Sequence, residues 1–136
     1  MNEFIPDVLN VLTDAGWINA SNYNPQSSIL VMDKNFKLEY LKPKIFSYYN
    51  YKGPLIEIIT TSGIFYCKPN VSLLTNGEAC KAKNIKRGNL LNRFDMWSKV
   101  ETVSTGEWEG KMTSFFFGEE VYMPVKYNRD YCLLIS

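Results

Sequence analysis

The chain has 136 residues, 46% of them apolar and 15% aromatic. That suits one globular domain rather than a disordered segment, and the aromatic content favours sheet over helix. Fifteen Lys and Arg against fourteen Asp and Glu leave a net charge of +1, so no global charge directs the chain to nucleic acid or an anionic membrane. No apolar run approaches the roughly 18 residues that span a bilayer. The acidic start at Glu3 and Asp7 has no basic leader, so the expected product is soluble and cytoplasmic rather than secreted.

In chain order, residues 4–16 read as a helix. Pro6 suits its first turn, Asp7 its positive end and Gly16 its termination, while Ile5, Val8, Leu9, Leu12 and Ala15 recur at three-to-four spacing. A polar connector covers 17–27. Strands are expected at 29–32, 36–40, 44–51, 54–60, 64–67, 71–75, 78–82, 97–104, 111–117, 120–126 and 131–135. The turns between them carry Asp33-Lys34-Asn35, Lys52-Gly53-Pro54, Ser62-Gly63, Asn76-Gly77, Arg87-Gly88, Thr105-Gly106 and Asn128-Arg129-Asp130. The fold class is mainly β with one N-terminal helix. A faint duplication sets Lys44 to Phe46, Gly53 and Leu55 to Ile58 against Lys99 to Glu101, Gly110 and Met112 to Phe116. The same alignment sets Asp33 to Lys42 against Asn76 to Lys86.

Cys67, Cys80 and Cys132 are odd in number and form no C-x-x-C pair, and the chain has no histidine. A disulfide framework or zinc site is therefore not expected, and no cofactor is implied. Carboxylates at Glu107 and Glu109 around Trp108, at Glu119-Glu120 and at Asp95 read as solvated surface. No P-loop or G-x-G-x-x-G occurs. Lys81, Lys83, Lys86 and Arg87, with Lys42, Lys44 and the tyrosines 48, 49 and 51, are the candidate phosphate and base contacts of a small β-barrel nucleic-acid binder. Phe115-Phe116-Phe117 reads as core.

Residues 51–91 carry a resemblance. Gly53, Thr60-Thr61-Ser62-Gly63, Pro69-Asn70, Asn76-Gly77, Ala82 and Gly88 follow the order of backbone-shaping residues in the Hint domains of inteins and Hedgehog-type autoprocessing proteins. The resemblance covers about 27–136 and implies a pseudo-symmetric β domain, with 1–26 as a helical leader and connector. The T-P-x-H element of that family aligns with Lys68-Pro69-Asn70-Val71, so Val71 stands where histidine would be. Asn89 stands in place of an Asp after Gly88, and Tyr131 to Ser136 lacks a terminal His-Asn pair. Autoprocessing needs a Cys or Ser nucleophile and a proton for the departing nitrogen, and histidine is the natural donor.

The resemblance therefore implies a degenerate domain with no catalytic residue, acting as a structural or protein-binding module. Its partner would be a protein or further copies of itself, with no membrane and no nucleic acid. The candidate docking residues are Ile5, Leu9, Leu12 and Trp17. Richness in Lys, Asn, Ile and Tyr fits a virus-encoded assembly protein, in the cytoplasm or the virion, such as a phage would carry. The alternatives are self-cleavage through Ser27 or Ser28, and the nucleic-acid binder.

Overall fold

The computed structural model describes residues 4–94 and 96–135; the carboxylates of Glu3 and Asp95 and the terminal Ser136 lie outside them. Thirteen strands form one antiparallel, hydrogen-bonded system: β1 (Phe4–Pro6), β2 (Asn10–Thr13), β3 (Gly16–Asn19), β4 (Ile29–Met32), β5 (Leu38–Leu41), β6 (Ile45–Thr60), β7 (Ile64–Cys67), β8 (Ser72–Thr75), β9 (Glu78–Lys81), β10 (Leu90–Asn92), β11 (Trp97–Phe116), β12 (Tyr122–Lys126) and β13 (Tyr131–Ile135). The order is β3-β2-β4-β12-β13-β8-β10-β11-β6-β7, with β1 on β11, β5 on β4 and β9 on β8. Short 3-10 turns follow β3 at Ala20–Asn22 and β9 at Ala82–Asn84.

The helix expected over 4–16 is absent. Its apolar spacing is met by two strands and a turn instead. Ile5 sits opposite Thr113 on β11, Pro6 to Leu9 turn the chain, and Val11 and Thr13 face the core on β2. Gly16 does have left-handed backbone, φ 99°, but it opens the second strand of a hairpin, where the Thr13 hydroxyl donates to its carbonyl at 2.8 Å. Three-to-four spacing over so few residues does not separate a helix from strand-turn-strand, and tertiary pairing decides. Strand pairing with β11 and β12 joins residues 4–19 to the β body.

The second correction concerns the long strands. The turns expected at Lys52-Gly53-Pro54 and Thr105-Gly106 do not form, because β6 and β11 pair continuously from Ile45 opposite Phe116 to Thr60 opposite Val100. One bulge interrupts the register, between Val100 and Thr102. Pro54 is tolerated because β7 covers only Ile56 to Ile59 of β6, leaving Pro54 with one strand neighbour. Gly53 and Gly110 are strand glycines for close packing. A Cβ on Gly53 would lie 2.7 Å from the Tyr51 hydroxyl, and one on Gly110 would lie 2.5 Å from the Trp108 ring. Tyr51 is opposite Gly110 and Trp108 is opposite Gly53. Each ring thus folds along its own strand over a glycine, and the two rings meet at 6.4 Å.

That crossing marks a pseudo-two-fold relation between two β lobes. Leu9 donates to the Pro6 carbonyl as Val71 does to Lys68, and Ala20 donates to Leu9 as Ala82 does to Val71. Thr13 pairs with Ile29 as Thr75 pairs with Leu91. The expected match of Gly53 with Gly110 therefore holds. Asn76 to Lys86, however, corresponds to the hairpin and turn after β2, not to Asp33 through Lys42. One core cluster runs through both lobes, from Ile5, Leu9 and Ile29 to Val71, Leu73 and Leu91. Phe115 and Phe117 are buried in it, as expected of that run, whereas Phe116 between them is half-buried.

Replacing Gly110 with Ala should displace the Trp108 ring, destabilise the protein by about 1–3 kcal/mol and shift its tryptophan emission. Gly106→Ala, whose added Cβ meets nothing within 4 Å, should change stability by less than about 0.5 kcal/mol. Urea unfolding of the two variants checks this.

Candidate functional site

The corner Lys68-Pro69-Asn70-Val71 links β7 to β8. Its geometry is set by backbone bonds: Val71 N–H to the Lys68 carbonyl at 3.2 Å, Lys83 N–H to the Pro69 carbonyl at 3.0 Å and Ala82 N–H to the Val71 carbonyl at 2.8 Å. Val71 is 2% exposed and belongs to the main core. Its isopropyl group neither donates nor accepts a proton. The Lys68 ammonium donates to the Tyr49 hydroxyl at 2.9 Å and lies 5.0 Å from the Tyr51 ring centre and 5.6 Å from that of Tyr49. Asn89 works as a turn former: its side-chain oxygen accepts from Lys86 N–H at 2.8 Å, and its carbonyl accepts from Val100.

The neighbouring turn at Thr60 to Gly63 is tied by hydroxyls. Thr60 Oγ1 donates to the Gly63 carbonyl and accepts from the Ser62 and Gly63 N–H groups. Ser62 and Ser98 share a hydroxyl contact. A Cβ on Gly63 would stand 3.1 Å from the Asp130 carbonyl oxygen, which explains a glycine there. The last strand, β13, runs beside β8, with Leu134 opposite Leu73. Its Cys132 thiol is buried, and burial followed by the neighbouring Cys67 pushes its pKa well above the ordinary thiol value. It stays a thiol at neutral pH and is a poor nucleophile.

Ser27 and Ser28 lie on the connection between the first 3-10 turn and β4, not on the domain's first strand. The Ser27 carbonyl, which Ser28 would attack, accepts the Tyr23 hydroxyl at 2.6 Å. Burial, then the charge of Asp14, raises the Tyr23 pKa, so this donor keeps its proton. Of the expected docking residues, Ile5 and Leu9 are 0% and 1% exposed and cannot contact a partner in this fold. Leu12 is half-buried, and Trp17 lies under the Lys126 ammonium at 4.6 Å. The helical stripe that would have aligned the four does not exist.

Lys81, Lys83, Lys86 and Arg87 are all exposed. The tyrosines proposed to stack on bases are partnered within the chain, Tyr48 by Lys111 at 4.1 Å and the other two by Lys68. Among the described residues, no group of His, Cys, Asp and Glu could hold a metal ion.

A groove that the sequence did not reveal lies on one face of the β6–β11 pair. It measures about 370 Å3 and is lined by Val8, Leu55, Glu57, Tyr66, Trp108 and Tyr127, with Gly106 at its floor. Glu57 accepts the Tyr66 hydroxyl at 3.0 Å. Tyr66 and Tyr127 meet edge to face at 5.0 Å. Burial first, then the Glu57 hydrogen bond and charge, pushes the Tyr66 pKa up to about 12. A near-period-two pattern (Leu55, Glu57, Gly106, Trp108) was the available signal. Assembling it required knowing that β6 pairs with β11.

No family model matches the sequence, and neither does any curated protein. Solved structures do match. The bacterial intein-like domain from Clostridium thermocellum superposes with a TM-score of 0.80 at 12% identity, over 100% of this chain and 99% of that one. The Ssp DnaB mini-intein variant M86 gives 0.76 at 11% identity, over 100% and 97%. The transcription factor IIB Mvu mini-intein gives 0.75 at 10%, over 97% and 99%.

Because Tyr66 holds its proton more tightly when folded, its contribution to stability is complete below pH 10 and declines as pH rises from 10 to about 12. Tyr66→Phe should flatten that decline, and Glu57→Gln should lower the Tyr66 midpoint. Phenolate absorbance at 295 nm and alkaline unfolding of the variants provide the check.

Proposed function

We propose that this Hint-like domain is a non-catalytic module that binds a protein partner or further copies of itself. The observation that carries the reading is Val71. The resemblance assigns histidine to this position, and here it holds an apolar side chain locked in the core, beside a Lys68 ammonium already engaged by two tyrosines. A chain with no histidine has no ordinary donor for the amine that leaves in an acyl shift. The residues that bend the backbone are in place at Gly63, Asn76-Gly77, Gly88 and Asn89. Shape is kept while the reactive group is replaced, and this supports a role in assembly. The Lys, Asn, Ile and Tyr bias agrees with a virus-encoded assembly component.

One observation favours a second reading, self-cleavage before Ser28: the Tyr23 hydroxyl is aimed at the Ser27 carbonyl, as an oxyanion donor would be. Against it, no imidazole is available to take the Ser28 proton, and the bond also serves to close the loop after the 3-10 turn. Intact-mass spectrometry of the purified chain after prolonged incubation with a thiol decides between them. The mass should stay unchanged. A break at residues 26–28 that disappears in Ser28→Ala would overturn the non-catalytic reading.

A further inference from the structure

We propose that the groove over Gly106 receives the side chain of a lysine or arginine from an extended segment of a partner protein. The inference rests on the protein-binding reading and specifies its chemistry.

Three observations carry it. The first is charge: Glu57 projects on the groove's face of the strand pair, and among the described residues no Lys or Arg lines the groove. Among the described residues Glu57 has no ion-pair partner, its two oxygens meeting only the neutral hydroxyls of Tyr66 and Ser104. The second is the walls. Trp108 closes one end, and Tyr66 and Tyr127 stand nearly perpendicular at the other, 88° apart. Aromatic faces with a carboxylate attract an organic cation.

The third observation comes from the pseudo-two-fold. Tyr49 and Tyr51 on β6 correspond to Gly106 and Trp108 on β11, by the same relation that sets Tyr51 and Gly53 against Trp108 and Gly110. In one lobe the Lys68 ammonium reaches back over Tyr49 and Tyr51. In the other lobe the place of Lys68 is taken by Pro6, which accepts the equivalent backbone bond from Leu9 but whose ring carries no cation to send. The protein thus fills one half of the strand pair with its own lysine and leaves the twin half open, with an acid added at Glu57. At about 370 Å3 the groove is larger than an ammonium or guanidinium group alone, so it suits a side chain presented by a polypeptide better than a point ligand.

The test uses the whole chain and four probes. They are acetyl-Gly-Gly-Lys-Gly-Gly-amide, its arginine and norleucine counterparts, and n-butylammonium, each titrated at low salt and followed by NMR. The lysine and arginine peptides should saturably shift the Gly106 amide and the Trp108 indole N–H. The norleucine peptide should not, and n-butylammonium should bind at least several-fold more weakly than the lysine peptide. Glu57→Gln, which keeps the shape, should weaken binding roughly fivefold to tenfold. Gly106→Leu, built where an added Cβ meets nothing, should abolish binding while the remaining spectrum is retained.

Equal shifts from lysine and norleucine peptides, or none at Gly106 and Trp108, would overturn the proposal. So would equal affinity for n-butylammonium, which would make this a small-cation pocket. Should Gly106→Leu not fold, Glu57→Gln and the norleucine peptide decide alone. A null titration with an unchanged intact mass removes the groove assignment only, whereas a cleaved chain removes the non-catalytic reading.

Discussion

The packing of two aromatic rings over two glycines, at the middle of β6 and β11, is the constraint on which the rest of the molecule depends. Both strands are far longer than the other eleven, and neither would be expected to run straight through Gly-Pro or Thr-Gly. They do so because Tyr51 covers Gly53 and Trp108 covers Gly110, each ring replacing the contacts that a strand glycine forgoes. The Tyr51 hydroxyl also donates to the Pro54 carbonyl at 2.7 Å, pinning the ring along the strand. With that centre fixed, the remaining strands form two lobes related through it. Each lobe builds the same sequence of corner, hairpin and 3-10 turn.

The lobes divide the work of bending the backbone in equal parts. Leu9 and Val71 hold equivalent places at the corners, both buried, both accepting from the alanine that opens the following 3-10 turn. In this chain the two corners are therefore apolar alike. A valine at the second corner joins the same core cluster as the leucine at the first. An imidazole at position 71 would need its ring nitrogens satisfied inside that cluster. The packing around Val71 fits the side chain it has.

Much of the β body was legible in the sequence, because the signals there are local. Ile29 to Met32 and Ile64 to Cys67 are short apolar runs between turn residues, and Asn76-Gly77 has φ 52° and 81°, as a tight hairpin requires. The terminal strand and the buried Phe115 were legible for the same reason. Two features were not. The segment 4–16 carries a helical spacing whose true cause is pairing with the adjacent β3 and with β11 and β12, the last two held some hundred residues away. Gly53 and Gly106 read as turns because a glycine in sequence does not disclose whether it bends the chain or lies under a ring or a groove. The candidate groove stayed hidden for the same reason. Its residues come from the β1–β2 turn, β6, β7, β11 and the β12–β13 connection, and the register of β6 against β11 sets the face they share.

Where two halves of a fold share a design, the differences between them carry the functional information. Lys68 and Pro6 occupy matching positions, yet one projects a cation onto its lobe's tyrosines and the other carries none. Gly106 replaces what is Tyr49 in the first lobe, removing a ring and opening the floor, while Glu57 gives the emptied side a carboxylate with no cation to meet it. A change that merely relaxed an unused surface would be expected to fill the space with small or neutral side chains. Here the vacated half gains negative charge between aromatic walls. A half-buried carboxylate whose partners are only the Tyr66 and Ser104 hydroxyls can accept charge-assisted hydrogen bonds from an incoming ammonium or guanidinium. The asymmetry is thus intelligible as a place prepared for a positive group that the chain does not itself provide.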